Sequence, residues 1–360
     1  MITLEQKLKK IVESYVSKTK TLQVYVESDQ LSHPYVFETG RPHQQFHSAS
    51  VGKLMTTVLV VLSIESGLMD WETPIDTFFT PGDLNDLFVF KGIDYQHQVT
   101  ISHLLTHTSG VNDYFEGKSN SKISFLDQVL SEPNRFYTPN DLIGYTKNHQ
   151  KAIGRPGQKF LYSDTGFVLL GLILEKLHQH PFHYLLRTHI FEPLDMNDTS
   201  FMFYDPLFDQ EALAPVMVKD MDIRTYTSLS LDFSGGGLST TVNDLAKFMS
   251  ALKQGKLISR DSYNHMAIFK HRFHSGMYYG LGIMELRFEK VFFLLRGLPK
   301  LKGHLGVLGV HAWFHPDQAD IYIINMGNIS DMVKSFQLLI QMVTQIESAR
   351  KQQHRKSTNR

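Results

Sequence analysis

Residues 48–67, SASVGKLMTTVLVVLSIESG, join a Ser-x-x-Lys spacing to a helical pattern that is apolar on nearly every side. Gly67 follows the pattern as a C-terminal stop, and the apolar positions before it are Val51, Leu54, Met55, Val58, Leu59, Leu62 and Ile64. A helix that is hydrophobic all round is buried. Ser50 and Lys53 are three residues apart, so we predict that they share one face at the mouth of this buried helix.

The Ser50–Lys53 pair suits nucleophilic catalysis. A serine hydroxyl is a poor nucleophile until a neighbour accepts its proton, and a lysine poised by burial and nearby charges can accept it. The helix N-terminus adds a positive end that favours an oxyanion. The alternative is an N-capping serine beside a solvated lysine, but a lysine at the start of so apolar a helix is hard to leave in water.

Strand patterns flank a helical middle. A hairpin is predicted at Thr21–Glu27 and Tyr35–Glu38, and further strands are expected at Tyr279–Leu286, Val291–Leu295, Gly309–His315 and Asp320–Met326. Helices are expected at residues 1–20, Ile101–His107, from Thr138, at Thr165–Leu177 and from about Val333 to Ser348. The order predicts an α/β (α+β) sheet domain from residues 1–68 and 235–348, a mostly helical insertion at 69–234, and a disordered polar tail at 349–360.

Composition excludes several classes of function. Lys+Arg 36 balance Asp+Glu 36, which removes the basic field that nucleic-acid binding needs. The absence of cysteine excludes a thiol nucleophile and thiolate metal sites. No stretch reaches the ~20 apolar residues that span a bilayer, and the charged N-terminus lacks the apolar region of a secretory signal, so the expected location is cytoplasmic.

Two further motifs lack residues that their usual functions require. His103 and His107 have the four-residue spacing of metal ligands, but Leu104 stands where a zinc peptidase would have its glutamate. The run Gly235–Gly237 lacks the following Lys-Ser/Thr pair of a phosphate loop and leads into a helix start near Thr241. We therefore predict neither a metal site nor an organic cofactor.

Six ordered blocks of this sequence resemble the serine β-lactamases and penicillin-recognising D,D-peptidases, in particular the class C branch that includes esterases and D-aminopeptidases. The blocks are FHSASVGKLMTT (46–57), VTISHLLTHTSGV (99–111), RPGQKFLYSDTGFVLLGLILEKL (155–177), FEPLDMNDTSF (191–201), SGGGLSTTVNDLAKFM (234–249) and GHLGVLG (303–309). The resemblance implies the β-lactamase/transpeptidase-like fold, an antiparallel sheet flanked by helices with an inserted helical domain.

The resemblance also implies roles for residues of the site. Ser50 would be the nucleophile, with Lys53 and Tyr162 exchanging its proton, and the sequence does not decide which of the two accepts it. His304 would tune Tyr162, pass a proton to the leaving group, or bind a substrate carboxylate when charged. The amides of Ser50 and Val307 would form the oxyanion hole.

Three positions would contact the substrate by the same resemblance. Asp164 replaces the family's commoner asparagine, and this removes an N–H donor and adds a carboxylate that can pair with Lys53. Leu305 replaces a hydroxyl-bearing residue, which argues against a penicillinase specialist. Gly306 permits close approach of the backbone.

The function expected from the sequence is a serine hydrolase that forms an acyl-enzyme on Ser50. Within that class, the leading expectation is an esterase or a peptidase/amidase. The alternatives are a penicillin-binding or receptor-like protein that is acylated but turns over poorly, and a true β-lactamase. The substrate would be a small molecule or a peptide. No nucleic acid and no membrane span is expected, and the oligomeric state stays open.

Overall fold

The computed structural model of the protein describes residues 2–358, in which an eight-stranded antiparallel sheet is combined with eleven α-helices. The helices are α1 Leu4–Val16, α2 Lys53–Glu65, α3 Ile101–Leu105, α4 Phe125–Ser131, α5 Pro139–His149, α6 Asp164–His178, α7 Phe182–Leu186, α8 Val242–Gln254, α9 Arg260–Met266, α10 Phe288–Val291 and α11 Met332–Thr358.

The strands of the large sheet come from both ends of the chain. They are β1 Gln23–Glu27, β2 Tyr35–Glu38, β10 His271–His274, β11 Met277–Tyr279, β12 Met284–Leu286, β13 Leu301–Gly306, β14 Val310–Phe314 and β15 Ile321–Asn325. Their spatial order is β10-β11-β12-β13-β14-β15-β1-β2. The predicted architecture of an antiparallel sheet flanked by helices is therefore confirmed, whereas the domain boundaries stay a prediction.

Short strands lie in the middle of the chain. They are β3 Phe46–His47, β4 Val89–Phe90, β5 Ile93–Asp94, β6 Ser200–Phe201, β7 Met217–Val218, β8 Met221–Asp222 and β9 Leu238–Thr240. Strand β9 lies between β3 and β6 and so joins the segment before Ser50 to residues 200–201. Among the helices of residues 2–358, none combines the length and hydrophobicity that crossing a bilayer demands.

The central strands separate two hydrophobic cores. In β15, Ile321 and Ile323 pack into the core that contains α2 and α8, while Tyr322 and Ile324 pack into the core that contains α1 and α11. All five residues of β15 are buried. Strands covered on both faces read as nearly continuous hydrophobic runs, which is why β14 and β15 were recognisable in the sequence.

Two of the strand predictions are wrong, and in both cases the reason lies in how β12 pairs with its neighbouring strands. The stretch 279–286 forms a hairpin rather than one strand, since β11 and β12 pair with each other across a turn in which Gly282 has a φ of +69°. The stretch 291–295 contains the end of α10 and a short 3-10 helix, and Phe293 and Leu294 are each 66% exposed. Both edges of β12, the strand just before this segment, are already occupied by β11 and β13, so the segment cannot fold back and pair with it.

The C-terminal segment also differs from its prediction. Helix α11 continues to Thr358 instead of giving way to a disordered tail at residue 349, and residues 359–360 lie outside the described part. Arg350 anchors the start of the extension, because its Nη2 donates to both oxygens of the buried Asp320 at 2.7 and 2.9 Å and to Asp29 at 2.9 Å. Asp320 also accepts from the Ser28 hydroxyl at 2.7 Å.

We predict that Arg350→Ala lowers the free energy of unfolding by about 3 kcal/mol, because it leaves the carboxylate of Asp320 buried without its cation. Denaturant unfolding measures the change. Arg355→Ala, which removes an exposed arginine from the same helix, serves as the control and should have little effect. Equal stabilities of the two variants would contradict the structural role of the Arg350–Asp320 pair.

Candidate active site

Ser50 lies in a short, tightly held turn. The 3-10 helix Ala49–Gly52 connects β3 to α2, and Ala49 has a φ of 47°, in the left-handed region that a residue with a side chain rarely adopts. The Ala49 N–H donates to Nδ1 of His47 at 2.9 Å. Strained backbone of this kind persists only where the surroundings hold it, and it clusters at functional sites.

Two glycines let neighbouring segments press against this turn. A Cβ on Gly236 would come within 2.2 Å of the Ala49 carbonyl oxygen, and a Cβ on Gly306 would come within 2.8 Å of the Ala49 Cβ. The Ser48 hydroxyl also donates to the Gly236 carbonyl at 2.9 Å. Because Gly306 has no side chain, the end of β13 can lie beside Ser50.

Lys53 is fully buried at the first position of α2. Its Nζ lies 3.3 Å from Oγ of Ser50, as the three-residue spacing predicts, and it donates to the Gly235 carbonyl at 2.5 Å. The same nitrogen forms an ion pair with Asp164, the first residue of α6. An ammonium has three N–H donors, so these three acceptors satisfy it completely.

Asp164 itself is held by a second buried carboxyl group. Its backbone N–H donates to Oδ1 of Asp113 at 2.8 Å, while Oδ2 of Asp113 accepts from the Glu116 N–H at 2.7 Å. Burial, reinforced by the Asp164 carboxylate, raises the pKa of Asp113 to about 7. Burial likewise raises the pKa of Asp164, although Lys53 opposes the rise.

Tyr162 presents a buried phenol to the same cavity as Ser50. Its ring centroid lies 5.0 Å from Nζ of Lys53 and 4.3 Å from the ring of His107. Burial raises the pKa of Tyr162 well above its ordinary value, Asp164 adds to the rise, and the nearby Ser50 hydroxyl opposes it. Within residues 2–358 the phenol oxygen is buried and has no hydrogen bond of ordinary geometry.

His304 lies behind the cavity wall and is completely buried. Its Nδ1–H donates to the Leu305 carbonyl at 2.8 Å, which leaves Nε2 to accept from the Tyr279 hydroxyl at 3.1 Å. Burial, together with the charge on Lys53, lowers the pKa of His304 to about 3. The ring is therefore neutral at physiological pH, which argues against the expected role of binding a substrate carboxylate as a cation.

Three other predicted residues, Leu305, Val307 and Asp164, line the cavity together with Ser50. His107, one of the two histidines weighed as metal ligands, packs against Tyr162 instead and accepts a hydrogen bond from the Ser163 N–H at 3.0 Å.

Several residues of the cavity were not predicted from the sequence, among them Asp113, Asp232 and His47. Nε2 of His47 lies 3.1 Å from the Asp232 carboxylate. Each is next to or inside a block that carried the resemblance: Asp113 lies two residues after one block and Asp232 two before another. Acidic residues at the edges of these blocks were the signal that could have revealed them.

The cavity has an empty volume of about 1150 Å³, counting space open to solvent. Its ionisable lining residues are His47, Asp113, Glu116, Tyr162, Asp164, Asp232 and His274, with no lysine or arginine among the described residues that line it. Within residues 2–358, no group of three or more metal-ligating side chains comes together. The cavity is therefore rich in carboxyl groups and offers a ligand no permanent cation.

Comparisons with known proteins place this geometry in context. Penicillin-binding protein 4* of Bacillus subtilis (strain 168) is 28% identical over 238 residues, which cover 60% of this chain and 47% of that protein. The chain thus spans about half the length of this relative.

Solved structures match almost the whole chain. The D-amino acid amidase of Ochrobactrum anthropi SV3, complexed with L-phenylalanine, has a TM-score of 0.80 at 20% identity over 96% of this chain and 99% of that one. EstCE1, a hydrolase with promiscuous acyltransferase activity, has a TM-score of 0.74 at 17% identity over 96% and 98%. These likenesses show the fold.

The family model Beta-lactamase matches residues 33–350, a range that contains Ser50, Lys53, Tyr162 and His304. This match and the shared fold confirm the resemblance found in the sequence. The chain belongs to the beta-lactamase family and has the β-lactamase/transpeptidase-like fold.

Proposed function

We propose that the protein is a serine hydrolase that forms an acyl-enzyme on Ser50 and acts on uncharged or cationic esters or amides. The observation that carries the proposal is the position of the buried Lys53 Nζ, between the Ser50 hydroxyl and the Asp164 carboxylate at the cavity wall. A nucleophile, a proton carrier and a group that orients the carrier are the parts that such catalysis requires.

Lys53 is the better candidate for accepting the serine proton. The raised pKa of Tyr162 keeps its phenol protonated near neutral pH, so it acts as a hydrogen-bond donor. Lys53 accepts a proton only when uncharged, and Asp164 can take up the proton that the ammonium gives up, since burial raises the pKa of this carboxyl. The aspartate in place of the family's asparagine thereby supplies a proton relay.

The chemical steps balance with these groups alone. The Ser50 Oγ bonds to the substrate carbonyl carbon as its proton passes to Lys53, and the amides of Ser50 and Val307 stabilise the oxyanion. The bond to the leaving alcohol or amine then breaks as Lys53 returns that proton to it. Water attacks the acyl-enzyme by the same route, releasing the acid and restoring Ser50.

The charges of the cavity argue against the anionic substrates of a β-lactamase or a D,D-carboxypeptidase. A substrate carboxylate would need a cation, but Lys53 is already paired with Asp164, and His304 is neutral and outside the lining. Asp113, Glu116 and Asp232 would face the same substrate. Placing a carboxylate among them without a partner is unfavourable.

The nucleophile is tested with Ser50→Ala. We expect this variant to lose hydrolysis of p-nitrophenyl acetate by about 10⁴-fold or more and to lose labelling by a fluorophosphonate, measured by intact mass. Ser66→Ala, an exposed serine just after α2, is the control and should keep both. Unchanged labelling of Ser50→Ala would show that the nucleophile lies elsewhere, and labelling without any turnover of the wild type would favour the acylated receptor.

The relay is tested with Asp164→Asn. Asparagine cannot take up the proton that the Lys53 ammonium gives up, so this variant lacks the acceptor on which the relay depends. We expect kcat/KM for p-nitrophenyl acetate near neutral pH to fall by about 10²-fold or more. Asp232→Asn removes a carboxyl group of the same cavity whose partner is His47, and it should lower kcat/KM less. Unchanged kcat/KM in Asp164→Asn would contradict the relay.

Charge selectivity is tested by comparing two p-nitrophenyl esters of similar size. One is the neutral valerate, and the other is the hemisuccinate, which carries a free carboxylate. We expect kcat/KM to be at least about 10-fold higher for the neutral ester, since the anion finds no lysine or arginine among the described residues that line the cavity and lies near Asp113, Glu116 and Asp232. Rapid turnover of the hemisuccinate, or of a chromogenic β-lactam with its carboxylate, would instead support the β-lactamase alternative.

A further inference from the structure

The cavity beside Ser50 continues into a chamber whose walls are apolar. Its side chains come from four separate parts of the chain: α4, the β7–β8 hairpin, the 3-10 segment Thr227–Gly235, and the segment from the end of β15 into α11. Representative lining residues are Leu126, Val129, Val218, Leu229, Ile329 and Phe336.

Such a chamber is unfavourable when filled with water alone. Apolar walls that meet water cost free energy in proportion to their area, and an apolar ligand that replaces the water recovers it. Several of the wall residues have their side chains fixed by the core behind them, with Val129 and Val218 only 1% and 4% exposed. The space is thus built into the packing of the protein, as is usual for a ligand pocket.

Three carboxyl groups at the polar end of the cavity are already bonded to other groups of the protein. The Asp164 carboxylate is paired with Lys53, and that of Asp232 with His47. Asp113 accepts two backbone N–H groups. These carboxyl groups have partners in the protein, so the strongest remaining source of binding free energy is the apolar surface of the chamber.

We propose that the chamber binds the acyl part of the substrate, and that this part is a long or bulky apolar chain. This inference rests on the proposed function and specifies its substrate class. The acyl part remains bonded to Ser50 through the acyl-enzyme, whereas the leaving group must depart through the opening to solvent. The group that stays beside the apolar chamber while the acyl-enzyme exists is therefore the acyl chain.

The test uses p-nitrophenyl esters from acetate to dodecanoate, which vary the acyl chain and keep the leaving group constant. Each methylene buried in the chamber strengthens binding by up to about fourfold. We therefore expect kcat/KM of the wild type to rise at least about 30-fold from acetate to octanoate. The ratio of the two values is measured within one protein sample, so partial unfolding does not alter it.

Variants that fill the chamber locate the chain. Ile329→Trp and Leu126→Trp add volume at two half-buried wall positions on different elements, and each should lower the octanoate/acetate ratio at least about 10-fold. If one of them does not fold, the other supplies the test. Ile268→Trp is the matched control, since this isoleucine is 43% exposed and does not line the cavity, and it should keep the wild-type ratio.

The outcomes separate the two levels of the proposal. Hydrolysis that depends on Ser50 but shows no preference for chain length overturns the chamber and leaves the hydrolase standing. A wild-type preference that neither tryptophan variant reduces places the chain elsewhere and also overturns the chamber. A wild type that hydrolyses none of the esters overturns both the chamber and the proposed function.

Discussion

The arrangement of the site depends on one buried ion pair, between Lys53 and Asp164. A charge that leaves water must be paired, and removing one partner of such a pair typically costs about 3–5 kcal/mol. Lys53 begins α2, Asp164 begins α6, and the third partner of the ammonium is the carbonyl of Gly235, at the end of the Thr227–Gly235 segment. The pair therefore ties together three parts of the chain that are far apart in sequence, and it fixes them next to Ser50.

Burial affects the ionisable groups around this pair in one direction, toward their neutral forms. It keeps the phenol of Tyr162 protonated and the imidazole of His304 unprotonated, and it raises the pKa of Asp113 to about 7. In such a site a proton can move from one group to another with little net charge in the site before or after the transfer. The apolar chamber beyond it extends the same low-polarity environment to the place where we propose that the acyl chain binds.

Local pattern made part of this structure predictable. The all-round apolar pattern of residues 51–64 correctly indicated a buried helix, and the spacing of Ser50 and Lys53 correctly placed them together. The stretch 291–295 was misread because strand propensity does not reveal that both edges of β12 are occupied. The partners of Arg350, and the positions of Asp113 and Asp232 in the cavity, depend on contacts across the fold that no local spacing encodes. The neutrality of His304 likewise follows from burial that only the packed sheet creates.

The proposed chemistry requires Ser50 to be the nucleophile and the buried Lys53–Asp164 pair to serve it. The decisive measurement is a crystal structure of the protein inhibited by an alkyl fluorophosphonate. We expect a phosphorus–oxygen bond to Oγ of Ser50, a phosphoryl oxygen about 2.7–3.1 Å from the amide nitrogens of Ser50 and Val307, and Lys53 still bonded to Asp164. Phosphorus on another residue, or Lys53 turned away from Asp164 into solvent, would contradict it.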